Sequence, residues 1–87
     1  MIMGVNRVYE HGGREFHVQA EDLGLDQKSF EVRVYDGGTV LWRKRVPYGD
    51  IAEQGLSKGD FEEALRALVE KTLHTVQAAI AKGKIGA

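Results

Sequence analysis

Residues 57–82, SKGDFEEALRALVEKTLHTVQAAIAK, keep a helical apolar period over their whole length, and no other stretch limits the fold as strongly. At about 100° per residue, Phe61, Leu65, Leu68, Val69, Thr72, Leu73, Val76, Ala79 and Ile80 fall within about 140° of arc. Glu63, Glu70, His74 and Gln77 take the opposite, water-facing side. Ser57 with Asp60 has the form of a capping box, and Asp60, Glu62 and Glu63 put negative charge in the first turns. Lys82 and Gly83 supply the charge and the permissive backbone that a helix C-terminus favours. The pattern predicts one amphipathic helix over 58–82. Burial of its stripe against another element must stabilise it, because ordering about 25 residues costs about 1–2 kcal/mol each in backbone entropy, more than the stripe alone can offset. Such a helix is about 37 Å long, whereas a strand of seven or eight residues spans about 25 Å, so one end of the stripe should overhang a sheet.

The sheet is read from the first half of the chain. Segments 5–11 (VNRVYEH) and 14–22 (REFHVQAED) flank Gly12-Gly13, the pattern of a hairpin whose glycines supply a turn with positive φ. A two-residue loop sets Tyr9 opposite Phe16, Arg7 opposite Val18 and Val5 opposite Ala20, with Glu10 and Glu15 an unfavourable pair. Segments 29–35 and 40–46 repeat the plan around Asp36-Gly37-Gly38. Here two registers compete. An odd-length loop puts Val40, Trp42 and Val46 on the core face with Val32 and Val34; a two-residue loop puts Leu41 there and sends Trp42 outward beside Tyr35. The odd loop is preferred, because it buries Trp42 and Val46 and exposes Arg43 and Arg45.

Between the hairpins, DLGLDQK is a polar connection with Leu23 or Leu25 as its anchor. Pro47 ends the fourth strand. Asp50 and Glu53 are spaced as a capping box for a short helical turn over 50–54, with Ile51 and Leu56 as anchors and Gly55 as its stop. Residues 83–87 read as a frayed tail. The expected fold is α+β, one domain over 1–87: a four-stranded antiparallel sheet of two Gly-Gly hairpins with one long C-terminal amphipathic helix packed on one face. Its expected core is Phe16, Val18, Phe30, Val32, Val34, Val40, Trp42, Phe61, Leu65, Leu68 and Val76. Four antiparallel strands followed by one long helix is similar in order to the dimeric single-strand-binding domains of the transcriptional-coactivator type. The likeness is one of topology without a shared motif, and fold does not imply function.

Composition removes several classes of function. With 43% hydrophobic and 29% charged residues the chain can bury a core, so disorder is not expected. A net charge of −1 argues against a strongly basic duplex-DNA binder. The absence of cysteine excludes disulfides, thiolate catalysis and cysteine-held zinc, and suits a cytoplasmic protein. No secretory leader and no apolar run long enough for a membrane span is visible.

No constellation of residues specifies chemistry. The Gly-Gly pairs precede no helix, so they are turns and not phosphate cradles. His11, His17 and His74 lack metal-ligand spacing, and no nucleophile, base and orienting acid can be chosen; the expectation is no enzyme, no metal and no cofactor. A single helix on a sheet offers little concavity, so no small-molecule ligand is expected. Two surfaces remain. The expected open sheet face carries Arg33, Tyr35, Arg43 and Arg45 with Lys44 nearby, a set able to hold phosphates and stack bases of a single-stranded nucleic acid. Against it stand Glu15, Glu21 and Glu31 on the same face. The second surface is a flank of the helix stripe, Val69, Leu73 and Ile80, expected to carry self-association as a dimer. The leading expectation is a small non-enzymatic protein-interaction or homodimerisation module, with weak single-stranded nucleic-acid binding as the alternative.

Overall fold

The computed structural model of the chain describes residues 4–85. Strands β1 (Gly4–His11), β2 (Arg14–Asp22), β3 (Ser29–Asp36) and β4 (Thr39–Pro47) are followed by a short helix α1 (Gly49–Ala52) and a long helix α2 (Lys58–Ala81). The strands form one antiparallel meander in the order β1-β2-β3-β4, open at both edges, with α2 across one face. This is the α+β arrangement expected from the sequence. Both hairpins turn on glycine pairs with positive φ, Gly12 at 60° and Gly13 at 78°, Gly37 at 57° and Gly38 at 86°. Glycine adopts two such residues in succession without strain, and this geometry matches the twist of the strands it joins.

The first hairpin has the expected register: Tyr9 faces Phe16, Arg7 faces Val18, Val5 faces Ala20, and Glu10 faces Glu15. The second combines the two registers that the sequence left in competition. Asp36 faces Thr39 and Tyr35 faces Val40 across a two-residue turn, and a bulge between Val34 and Tyr35 then shifts the pairing so that Val34 faces Trp42. The extra residue, Leu41, lets the turn be tight while Trp42 and Val46 still point to the helix side. Val40 lies ahead of the bulge, shares the open face with Tyr35 and is 45% exposed, so its place in the expected core is corrected.

The core is formed by Phe16, Val18 and Ala20 of β2, Phe30, Val32 and Val34 of β3, and Leu65, Val69, Leu73, Val76 and Ile80 of α2. Trp42, Phe61 and Leu68, expected inside it, are half-buried at its margin. The five buried residues of α2 cover about 80° of the helix surface at 100° per residue.

Both helix ends are tied by the sequence signals expected of them. The Ser57 hydroxyl accepts a hydrogen bond from the Asp60 amide at 3.2 Å. At the far end Gly83 has φ 72°, its N–H donates to Ile80 at 3.0 Å, and the Lys84 N–H donates to Ala79 at 2.9 Å. These two bonds make a Schellman motif, which turns the chain back so that Ile85 is buried against the core. Residues 83–85 of the expected frayed tail are therefore folded; residues 86 and 87 lie outside the described residues. The return of Ile85 also covers the last turn of the helix. Ile80 is 2% exposed, and the expected overhang of the stripe is absent.

At the other end the contacts converge on Tyr48, which no periodic pattern in the sequence singles out. Tyr48 is 2% exposed, its ring meets Phe61 edge-on at 5.9 Å, and its hydroxyl donates to Asp22 at 2.6 Å. Its backbone N–H donates to Lys28 at 2.8 Å, and Asp22 also accepts from the Gly24 amide at 2.9 Å. One residue thus joins the β2–β3 loop, the end of β4 and the start of α2. The short helix begins at Gly49 with no side-chain cap, so Asp50 is in its first turn and does not cap it. The helix ends at Ala52 with Glu53 as its C-cap, short of the expected 50–54, and Gly55 at φ 69° turns the chain two residues further on; Ile51 packs on the core, whereas Leu56 and Leu25 are exposed.

Candidate functional site

The residues expected to carry self-association are the centre of the monomer's own core. Val69, Leu73 and Ile80 are 2%, 1% and 2% exposed and face the sheet. As a free surface for a second copy they are ruled out, because the sheet already covers them. The flank of the stripe that stays accessible is the other one, Leu68, Thr72 and Thr75, which turns toward β4.

That flank forms one wall of a groove of about 330 Å³ between α2 and β4. Leu68, Thr72, Thr75 and Val76 line the helix side; Trp42, Val46 and Pro47 line the strand side. Lys71 and Lys44 complete the lining, and no carboxylate is part of it. Lys44 is here because of strand parity. It faces Val32 across the β3–β4 ladder, so it points to the helix side with Trp42 and Val46. Its expected place beside Arg43 and Arg45 is corrected.

The two edges of the sheet are treated differently by the helix. At β1, Arg7 is also on the helix side, and its guanidinium meets Glu70 at 2.6 Å, fastening α2 to that edge. At β4 the corresponding cation, Lys44, shares the groove with Lys71, a like charge. Neither has an ion-pair partner among the described residues. Two like charges make no pairing across the groove of the kind that Arg7 and Glu70 make at the other edge. Trp42 is half-buried, and β4 ends the sheet with no neighbour on its outer side among the described residues.

The open face brings Arg33, Tyr35, Arg43 and Arg45 together, but much of its positive charge is already matched. The Arg33 guanidinium donates to Glu21 at 2.9 Å, its Nε lies 3.5 Å from Glu31, and the Arg45 Nε lies 3.9 Å from the same carboxylate. Arg33 Nε is buried without a hydrogen bond. Arg43, directly opposite Arg33, has no ion pair among the described residues. One row of this face crosses all four strands as Val8, His17, Tyr35 and Val40. Val8 and Val40 are about half exposed, so the row is partly apolar. The histidines are not assembled: His17 lies 3.4 Å from Glu15 on the open face, His11 ends β1, and His74 is on the outer side of α2. Among the described residues no group of three His, Asp or Glu side chains is placed to hold a metal ion.

Two tyrosines are shifted in acidity. Burial, reinforced by the hydrogen bond to Asp22 and its negative charge, raises the Tyr48 hydroxyl far above the ordinary tyrosine value. Burial also raises Tyr9, with Arg7 opposing and Glu70 adding to the shift. Both groups have structural explanations in the packing just described.

No helix among the described residues is long and apolar enough to cross a membrane. Compared with protein-family models, with curated proteins and with solved structures, the chain has no match in any of the three.

Proposed function

We propose that this domain is a non-enzymatic protein-interaction module, cytoplasmic in setting, that docks its partner along the groove between β4 and α2. The observation that carries the reading is the half-buried Trp42 in an apolar groove beside an unpaired strand edge. Aromatic anchors in such positions are where protein interfaces concentrate their binding energy. The cysteine-free composition suits a reducing compartment. Homodimerisation through the same edge is disfavoured by charge. Two copies of β4 paired about a two-fold at Lys44 would set Arg43 against Arg45 and Lys44 against itself. Single-stranded nucleic acid on the open face has the weaker support, since Glu21 and Glu31 already engage Arg33 and Glu31 lies beside Arg45.

Dilute isopropanol followed by amide NMR tests the location of the docking surface without knowledge of the partner. Small apolar probes collect where a surface binds apolar side chains. Shifts concentrated at residues 42–47 and 68–76 are the expected result. Shifts centred on Val8, His17, Tyr35 and Val40 would move the docking surface to the open face and contradict the reading.

A further inference from the structure

We infer that the partner is an extended acidic segment that adds as a fifth strand to β4, with apolar side chains at both ends of a short run of carboxylates. The inference rests on the groove being the docking surface, and it specifies what fits there. An added strand places each residue directly opposite one residue of β4, on the same face. Along β4 the run Trp42, Arg43, Lys44, Arg45, Val46 therefore dictates its own complement. Residues opposite Trp42 and Val46 fall on the helix side, against the groove wall of Leu68 and Thr72, and should be apolar. The residue between them faces Lys44 and the Lys71 rim and should be acidic. Those opposite Arg43 and Arg45 lie on the open face, where Arg43 is unpaired among the described residues and Arg45 is shared with Glu31, and should be acidic as well. The complement reads apolar, acidic, acidic, acidic, apolar. It is the same in both directions, so parallel and antiparallel addition make the same demand.

Charge is the argument for this partner over a second copy or a purely apolar segment. Three consecutive cations on an edge strand resist self-pairing, and natural edges use charges in this way. The lining of the groove adds Lys71 to that charge and contains no carboxylate, while the opposite edge of the same sheet has its cation satisfied by Glu70. The edge that lacks an acid is also the edge that has the groove.

The test uses a capped peptide of about seven residues, valine, three glutamates and valine between terminal threonines, titrated into the whole chain. Trp42 is the only tryptophan, so its emission reports the groove. A saturable blue shift is expected. It should weaken several-fold when salt rises from about 0.01 M to about 0.15 M, which cuts the screening length from about 30 Å to about 8 Å. The same peptide with lysines for glutamates should not bind, and the exposed double variant Lys44→Glu/Lys71→Glu should bind the glutamate peptide several-fold more weakly, Arg43 and Arg45 still facing two of its carboxylates. Of two versions N-methylated at alternate amides, one should lose binding and the other keep it, because only alternate amides face the edge. Equal binding of the glutamate and lysine peptides overturns the charge argument, and equal effects of the two methylated versions overturn strand addition; both leave the groove as the docking surface. No binding by any peptide overturns the inference, and the isopropanol map then reports separately on the groove. An oligonucleotide that binds and shifts His17 and Tyr35 while Trp42 stays silent overturns it in favour of nucleic acid.

Discussion

Leu73→Glu is expected to unfold the domain. Leu73 is 1% exposed and belongs to the apolar cluster that joins α2 to the sheet. Removing a buried leucine side chain costs about 2–5 kcal/mol, and an unpaired carboxylate in its place adds several kcal/mol more, whether it ionises or takes up a proton. Domains of this kind have about 5–15 kcal/mol in total, so little native population should survive at 25 °C. Gln77→Glu, four residues on and exposed, is the internal control and should leave the circular dichroism and thermal midpoint nearly unchanged. A folded Leu73→Glu protein with dispersed amide resonances would mean that the helix presents this flank to solvent, and the assignment of core and groove would be wrong together.

Tyr48→Ala is expected to have the next largest effect. It removes a ring that is 2% exposed, the edge contact with Phe61 and the hydroxyl bond to Asp22, at about 3–5 kcal/mol for truncating a buried aromatic. Tyr48→Phe keeps the ring and should cost less, about 1.5–3 kcal/mol, the value of one hydrogen bond to a charged acceptor. Urea denaturation separates the two. The hydroxyl also sets an alkaline limit. Its acidity in the folded chain is weaker than in the unfolded chain, because burial opposes ionisation and Asp22 holds the proton. The stability this contributes is fully present below about pH 10, the ordinary tyrosine value, and is lost as pH rises beyond it toward the folded value. Tyr48→Phe should flatten that loss, leaving the smaller contribution of Tyr9. Equal alkaline slopes in the two proteins would remove Tyr48 as the cause.

The sequence reports some of these features directly and is silent on others, for physical reasons. The alternations Phe16-Val18-Ala20 and Phe30-Val32-Val34, the Gly-Gly turns and the helix period are local codes, and each is realised as read. The width of the helix stripe is likewise legible, but its rotation about the helix axis is not. Periodicity shows which residues share an arc, while the fit of Leu65, Val69, Leu73, Val76 and Ile80 against Phe16, Val18, Phe30, Val32 and Val34 sets which flank is covered. Val69, Leu73 and Ile80, which periodicity alone allows on an open flank, are therefore core. The groove itself follows from the bulge at Leu41, which alternation alone does not encode: without it Trp42 and Lys44 would face the other way. Tyr48 follows a proline, outside any periodic run, and only tertiary contact reveals what it joins.

The most direct test of the account is amide hydrogen exchange of the free chain at two widely separated protein concentrations. If β4 is an open docking edge, half of its amides point outward and should exchange rapidly at both concentrations, while β2 and β3, flanked on both sides, stay protected. Protection across all of β4 that grows with concentration would show the edge occupied by a second copy, and would contradict a domain whose edge is kept free for an acidic partner.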